Sequence, residues 1–375
     1  MSEIIYKNLA TKLLGRSMTQ ALEDYYGKID KKKYCRHRKR QKTIRRETRK
    51  YLSIPDNNHR SDREFLTPIT TPLALISQIQ RSGGSFLSQL FDGHPQLHAH
   101  PNELKIGFPK KYIWPELDMM DSPELWFEML FEHDVITHFK DGYEKGPVDG
   151  KRFQFTFPPS LQRKLFLDCL ADRRDTTQRD ILNAYMTSYF NAWLNNRNIE
   201  GEKKYITAFT PRLCVLQENM QSFFKTYPNG RLISLVRDPR NWYPSAHGHK
   251  TAKNKYDNIG KAIDQWNEVT DAMIRNKLKF DEQVCLLRFE DLVSKTETVM
   301  RYLANFLEID FDSILLAPTF NKDPILANTS FRHEQGQIRT GTLSRYQLLP
   351  TEEIELIEKL SEDRYKQILE KTVDF

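Results

Sequence analysis

Long apolar runs are missing from this 375-residue sequence. No stretch of 18 apolar residues occurs, so no segment has the length and composition of a transmembrane helix. Cysteine is scarce: Cys35, Cys169, Cys214 and Cys285 lie far apart, with no Cys-x-x-Cys pair. That spacing excludes a compact zinc knuckle and a dithiol redox motif, and it fits a reduced, cytoplasmic protein. The first residues, Met1 to Lys7, lack the charged-then-apolar layout of a secretory leader. The triphosphate-binding pattern Gly-x-x-x-x-Gly-Lys-Ser/Thr is absent, as are internal repeats and clustered metal ligands. What is present is 39% hydrophobic and 29% charged residues, enough apolar content for a sizeable core and too much for wholesale disorder.

The net charge of +7 is unevenly placed. Residues 31–50 carry twelve Lys or Arg against one acid, Glu47, whereas the other residues hold 45 bases and 49 acids. The basicity therefore belongs to one short tract on a mildly acidic body. Such a tract is a solvated arm or a surface for nucleic acid or another polyanion. Residues 1–66 combine it with an amphipathic stretch (Leu9, Leu13, Leu14, Met18, Leu22) and a polar link at Pro55–His59. They read as an N-terminal extension to a domain spanning 67–375.

From Thr67 onward the pattern alternates between strand and helix. Leu73–Ile79, Tyr205–Phe209, Leu232–Val236 and Val284–Phe289 are short runs rich in strand formers. Apolar residues at three-to-four spacing predict helices over 181–194, 213–224, 259–274, 293–307 and 354–369. Buried strands separated by helices predict an α/β three-layer sandwich with a central parallel sheet, whose ligands sit at the carboxyl ends of the strands.

Two segments after those strands have phosphate-binding chemistry. The first reads Gln80-Arg81-Ser82-Gly83-Gly84-Ser85-Phe86. The glycines allow a sharp turn and close backbone approach, and the helix that follows offers unpaired N–H groups to an anion. Arg81 adds charge; Ser82 and Ser85 add hydroxyl donors. The second begins at Arg237, where the third of these strands ends, with Ser245 eight residues later; a forked guanidinium and a hydroxyl suit a second phosphate.

With these motifs in order, the sequence resembles the sulfotransferases that use 3′-phosphoadenosine 5′-phosphosulfate (PAPS). The family's 5′-phosphosulfate loop, Pro-(Lys/Arg)-Ser-Gly-Thr-Thr-(Trp/aliphatic), is similar to residues 80–86. Its 3′-phosphate motif, an arginine after a strand and a serine eight residues on, is similar to Arg237 and Ser245. Its C-terminal Arg-Lys-Gly, followed five residues later by Trp, resembles Arg339-Thr340-Gly341 with Tyr346. Phe289–Leu292 and Asn305–Glu308 resemble the family's strand-to-helix junction. The likeness runs from Leu73 to Leu360, with departures at Gln80, Gly84, Phe209, Thr340 and Tyr346.

The resemblance implies PAPS as co-substrate, no metal, and a general base in the segment His94–Lys105. Glu103 is the first candidate for that base, with His100 and His98 as alternates, and Lys105 could assist the leaving oxygen. Aromatic residues crowd 108–157: Phe108, Tyr112, Trp114, Trp126, Phe127, Phe131, Phe139, Tyr143, Phe153, Phe155 and Phe157. They suit helix core, or a small-molecule, glycan or lipid acceptor. Competing readings are a nucleotide kinase, which would require magnesium ligands and a triphosphate-loop lysine, a nucleic-acid-binding protein led by 31–50, and a catalytically silent member of the family.

Overall fold

The structure is a computed structural model. It describes Leu52 and residues 67–106, 113–115, 117–143, 152–171, 175–248, 256–325 and 341–375. The basic tract 31–50, the amphipathic stretch before it, Phe108, Tyr112, Arg339 and Thr340 lie outside the described residues. The chain divides into two compact units. A sheet unit comprises 72–104, 197–220 and 227–375. A helical unit takes in 105–196 and 221–226, with the described residues before 72.

Five parallel strands build the sheet: β1 (Leu73–Ile76), β2 (Leu97–Glu103), β3 (Tyr205–Phe209), β4 (Arg231–Val236) and β5 (Val284–Arg288), in the order β2-β3-β1-β4-β5. Four of them fall where strand-forming runs predicted them. The exception is β2, which contains His98, His100 and Pro101 and has no strand-forming run. It is an edge strand, where a residue without an N–H costs no ladder hydrogen bond on the open side, and its register shifts between Ala99 and Glu103.

The helices, in chain order, are α1 (Gly84–Phe91), α2 (Pro123–Leu130), α3 (Asp134–Asp141), α4 (Pro159–Leu170), α5 (Gln178–Ala192), α6 (Gln217–Thr226), α7 (Pro239–His247), α8 (Ile259–Phe280), α9 (Phe289–Ser294), α10 (Thr296–Phe306) and α11 (Thr351–Leu369). Side chains alternate across a strand, so the sheet has two apolar faces. Ala74, Ile76, Ile233, Leu235, Cys285 and Leu287 pack with Phe86, Leu87 and Leu90 of α1 and Val299, Met300 and Leu303 of α10. Alternation turns Leu75, Leu232 and Leu286 to the other side, where α8 packs on β5 and α11 packs on α8. Asn276 of α8 ties that layer down by donating to the Cys214 carbonyl at 2.8 Å. Both faces of the sheet are therefore covered, giving the three-layer α/β arrangement expected. Each fully buried Leu or Phe contributes about 1.5–3 kcal/mol of transfer free energy.

The helical unit is where the aromatic-rich segment goes. Phe127 meets Phe131, Phe166 and Tyr185 at centroid distances of 5.4, 5.3 and 6.4 Å. Phe155 stacks on Phe157 at 5.3 Å and packs against Trp193. Trp114, Trp126 and Tyr143 are buried too, Phe153 is half-buried, and Phe139 is exposed. Most of this aromatic content is thus core of the helical unit. Helix α5 starts at a reciprocal cap between Thr177 and Asp180, which satisfies two otherwise unpaired donors.

Candidate functional site

In a parallel sheet every strand ends at the same edge, and the segments leaving β1 and β4 meet there. Ser77 extends the β1 ladder by one step, its N–H donating to the Ile233 carbonyl at 3.0 Å. Its hydroxyl is also committed, accepting from Cys214 N at 3.0 Å. The chain then turns. Arg81 adopts φ 70° and Gly83 φ 92°, backbone angles that L side chains rarely take. Gly83 is the N-cap of α1, whose first turn has no side-chain cap and no acidic residue. Its leading N–H groups and positive dipole end therefore suit an anion.

Both glycines are fixed by their surroundings. A Cβ on Gly83 would fall 2.4 Å from the Phe289 ring. A Cβ on Gly84 would fall 2.0 Å from the Gln78 amide and 2.3 Å from the Phe209 ring. The departures at residues 84 and 209 are thus one feature: the aromatic ring on β3 occupies volume that a side chain at 84 would need. Ser82 and Gln78 are fully buried, and the Ser82 hydroxyl and the Gln78 amide have no hydrogen-bond partner on the protein.

Arg237 leaves the end of β4 buried, with 3% of its surface exposed. Its Nη1 donates to the Arg81 carbonyl at 2.9 Å, and its guanidinium lies 4.6 Å from the centre of the Phe289 ring. Phe289 thus braces the glycine turn with one part of its ring and Arg237 with its face. Arg81 Nε donates to the Ser245 hydroxyl on α7 at 3.4 Å. Two indoles anchor the backbones: Trp242 donates to Gln80 O at 2.8 Å and Trp266 to Arg237 O at 3.2 Å. Asp238 is engaged by Arg240 at 2.6–3.2 Å, and the charges of Glu290 and Asp238 act on Arg237 in the opposite sense to its cationic neighbours.

The electrostatics of this corner are those of crowded cations. Burial, then the charges of Arg345 and Arg81, push the Arg237 guanidinium down to about 9. Burial and Arg345 also lower the pKa of Arg81, and burial lowers that of Arg345 itself. Arg345 is a residue the motif reading missed. It begins a short 3₁₀ turn (Arg345–Leu348) held on α7 by Tyr346 N donating to Asn241 Oδ1 at 3.1 Å. No sequence periodicity marks it; its place next to Tyr346 was the available signal.

The other motif residues are less concentrated. Ser85 is half-buried in the first turn of α1, whereas Phe86 belongs to the core. Gly341 is exposed at the start of a 3₁₀ turn. Glu103 is the last residue of β2, at the carboxyl edge, in register with Phe209. His100 is buried, its Nδ1 2.9 Å from the Asn102 carbonyl oxygen. Burial, then Lys203, pushes His98 down to about 3, so it is neutral at ordinary pH. Lys105 falls in the helical unit, where its ammonium pairs with Asp134 and its N–H donates to the buried Glu132 at 3.0 Å. No group of three His, Cys, Asp or Glu side chains suited to a metal exists among the described residues. No helix among them is long and apolar enough to cross a membrane.

Among solved structures, the chain is similar to the sulfotransferase domain of the olefin synthase of Synechococcus PCC 7002. Identity is 18%, covering 79% of this chain and 96% of that one, with a TM-score of 0.44. It is also similar to a sulfotransferase domain from the curacin biosynthetic pathway, at 17% identity, 78% and 98% coverage, and TM-score 0.44. A mouse sulfotransferase, SULT7A1, solved with PAP, is similar at 12% identity, 79% and 84% coverage, and TM-score 0.39. No curated protein matches the chain. The profile described as "Sulfotransferase family" matches residues 72–313, from the residue before β1 to the segment beyond α10. The match covers well over half of the sequence and takes in both the glycine turn and the Arg237–Ser245 segment: the chain belongs to the sulfotransferase family.

Proposed function

We propose that the arginine-lined edge of the sheet grips PAPS by both of its phosphate ends, and that Glu103 activates the acceptor. The family sets the reaction class, PAPS-dependent sulfuryl transfer. The amides of residues 83–86, with Arg81, Ser82 and Ser85, hold the 5′ end. Arg237 and Ser245 hold the 3′-phosphate, and Arg339, Thr340 and Gly341 are further nucleotide-binding residues that the resemblance assigns. An acceptor hydroxyl or amine, on a small molecule, glycan or lipid, forms a bond to sulfur. The bond from sulfur to the bridging oxygen breaks, its electron pair stays on the 5′-phosphate, and the acceptor proton passes to the Glu103 carboxylate. Donors fixed where charge develops on the leaving phosphate lower the barrier. Lys105, whose ammonium pairs with Asp134, is assigned no step in this scheme.

The observation that carries the reading is the meeting of Arg81, Arg237 and Arg345 around an uncapped helix start. Like charges this close repel when one of them, Arg237, is buried and the other two are half-buried, and a polyanion removes that cost. The test is release of adenosine 3′,5′-bisphosphate from PAPS across a panel of hydroxyl and amine acceptors. Glu103→Gln is expected to slow turnover by about 10²–10⁴-fold with bisphosphate affinity retained. Unchanged turnover in that variant would move the base to His100. Wild-type protein inert with every acceptor and without affinity for the nucleotide would overturn the proposal.

A further inference from the structure

We propose that the side-chain amide of Gln78 is a direct ligand of the 5′-phosphate end of the bound nucleotide. The inference rests on the reading of this edge as the nucleotide site and adds a residue to it that no motif contains. Gln78 follows β1 by two positions, so strand alternation turns its side chain to the side of Ala74 and Ile76, the face covered by α1. It has no exposed surface. Neither its amide nitrogen nor its amide oxygen has a hydrogen-bond partner on the protein.

The amide nitrogen lies 2.0 Å from the point where a Cβ on Gly84, the first residue of α1, would stand, a point the Phe209 ring approaches to 2.3 Å from the other strand. The Ser82 hydroxyl in the same turn is likewise buried and without a partner. An unpaired amide inside a protein is costly unless something polar completes it. An oxyanion seated on the first turn of α1 would take hydrogen bonds from the backbone N–H groups, the Ser82 hydroxyl and the amide together. Gly84 is then required for a second reason, since any side chain there would displace the amide.

The contact separates from a merely structural role in a nearly isosteric variant. Gln78→Leu keeps the volume and removes the polar atoms, so the melting temperature without ligand is expected to stay the same or rise. Affinity for adenosine 3′,5′-bisphosphate is expected to fall about tenfold or more. Affinity for adenosine 3′-phosphate, which lacks the 5′ group, is expected to be unchanged. Gln78→Glu sets a carboxylate against the phosphate and is expected to abolish bisphosphate binding while sparing the 3′-monophosphate. A lowered melting temperature of Gln78→Leu, or equal losses for both nucleotides, would identify a structural amide and overturn the inference. Wild-type binding that Gln78→Leu leaves unchanged would remove this inference alone; wild-type protein that binds neither nucleotide would remove the underlying site as well.

Discussion

Replacing Gly83 by alanine tests whether one aromatic ring supports both halves of the site. Gly83 holds φ 92°, and placing a Cβ there costs about 1–3 kcal/mol of backbone strain. The new methyl would also sit 2.4 and 2.7 Å from Cδ2 and Cε2 of Phe289, a close contact of the kind that costs about 1–3 kcal/mol in a packed interior. Together the loss is about 2–6 kcal/mol, a large share of the 5–15 kcal/mol typical of a folded domain. Phe289→Ala alone is expected to cost about 3–5 kcal/mol, but it removes the steric part of the Gly83→Ala penalty. Urea unfolding of both single variants and the double variant should show the double less destabilised than the sum by about 1–3 kcal/mol. Strict additivity, or a Gly83→Ala protein within about 0.5 kcal/mol of wild type, would refute the bracing role of Phe289.

Two predictions concern pH. Arg237 must be charged to hold a phosphate, and its surroundings push it down to about 9. The melting-temperature rise caused by adenosine 3′,5′-bisphosphate should therefore be level between about pH 7 and 8 and shrink as pH passes about 9; a rise that grows through that range would contradict the assignment. His98 is held near 3 in the fold against about 6.5 unfolded, so the unfolded chain binds more protons between those values. Stability should fall as pH drops below about 6.5. His98→Gln should lessen that fall, by up to about 1.4 kcal/mol per pH unit, with no effect above about pH 7.5; urea unfolding at pH 5.5 and 7.5 measures both.

The sheet was legible because four of its strands are apolar runs with no competing signal. The fifth was not, since His98, His100 and Pro101 break the strand pattern and only an edge position tolerates them. Local chemistry pointed to the glycine turn, Arg237 and Ser245 as candidates, and Arg81 touches both Arg237 and Ser245. What could not be read is what depends on distant side chains. Gly84 is needed because Gln78 and Phe209 fill the space beside it. Arg345 matters because a 3₁₀ turn far along the chain docks on α7. The aromatic stretch after residue 108 fitted either core or acceptor pocket by composition, and most of it is core because α2, α4 and α5 close around it.

Isothermal titration of the full chain with adenosine 3′,5′-bisphosphate, run beside Arg237→Ala, addresses the anion site itself. The account predicts one nucleotide per chain, with affinity falling at least tenfold in the variant, as loss of a charge-assisted hydrogen bond of about 1.5–3 kcal/mol requires. Equal heats for the two proteins, or no saturable binding by the wild type, would contradict it.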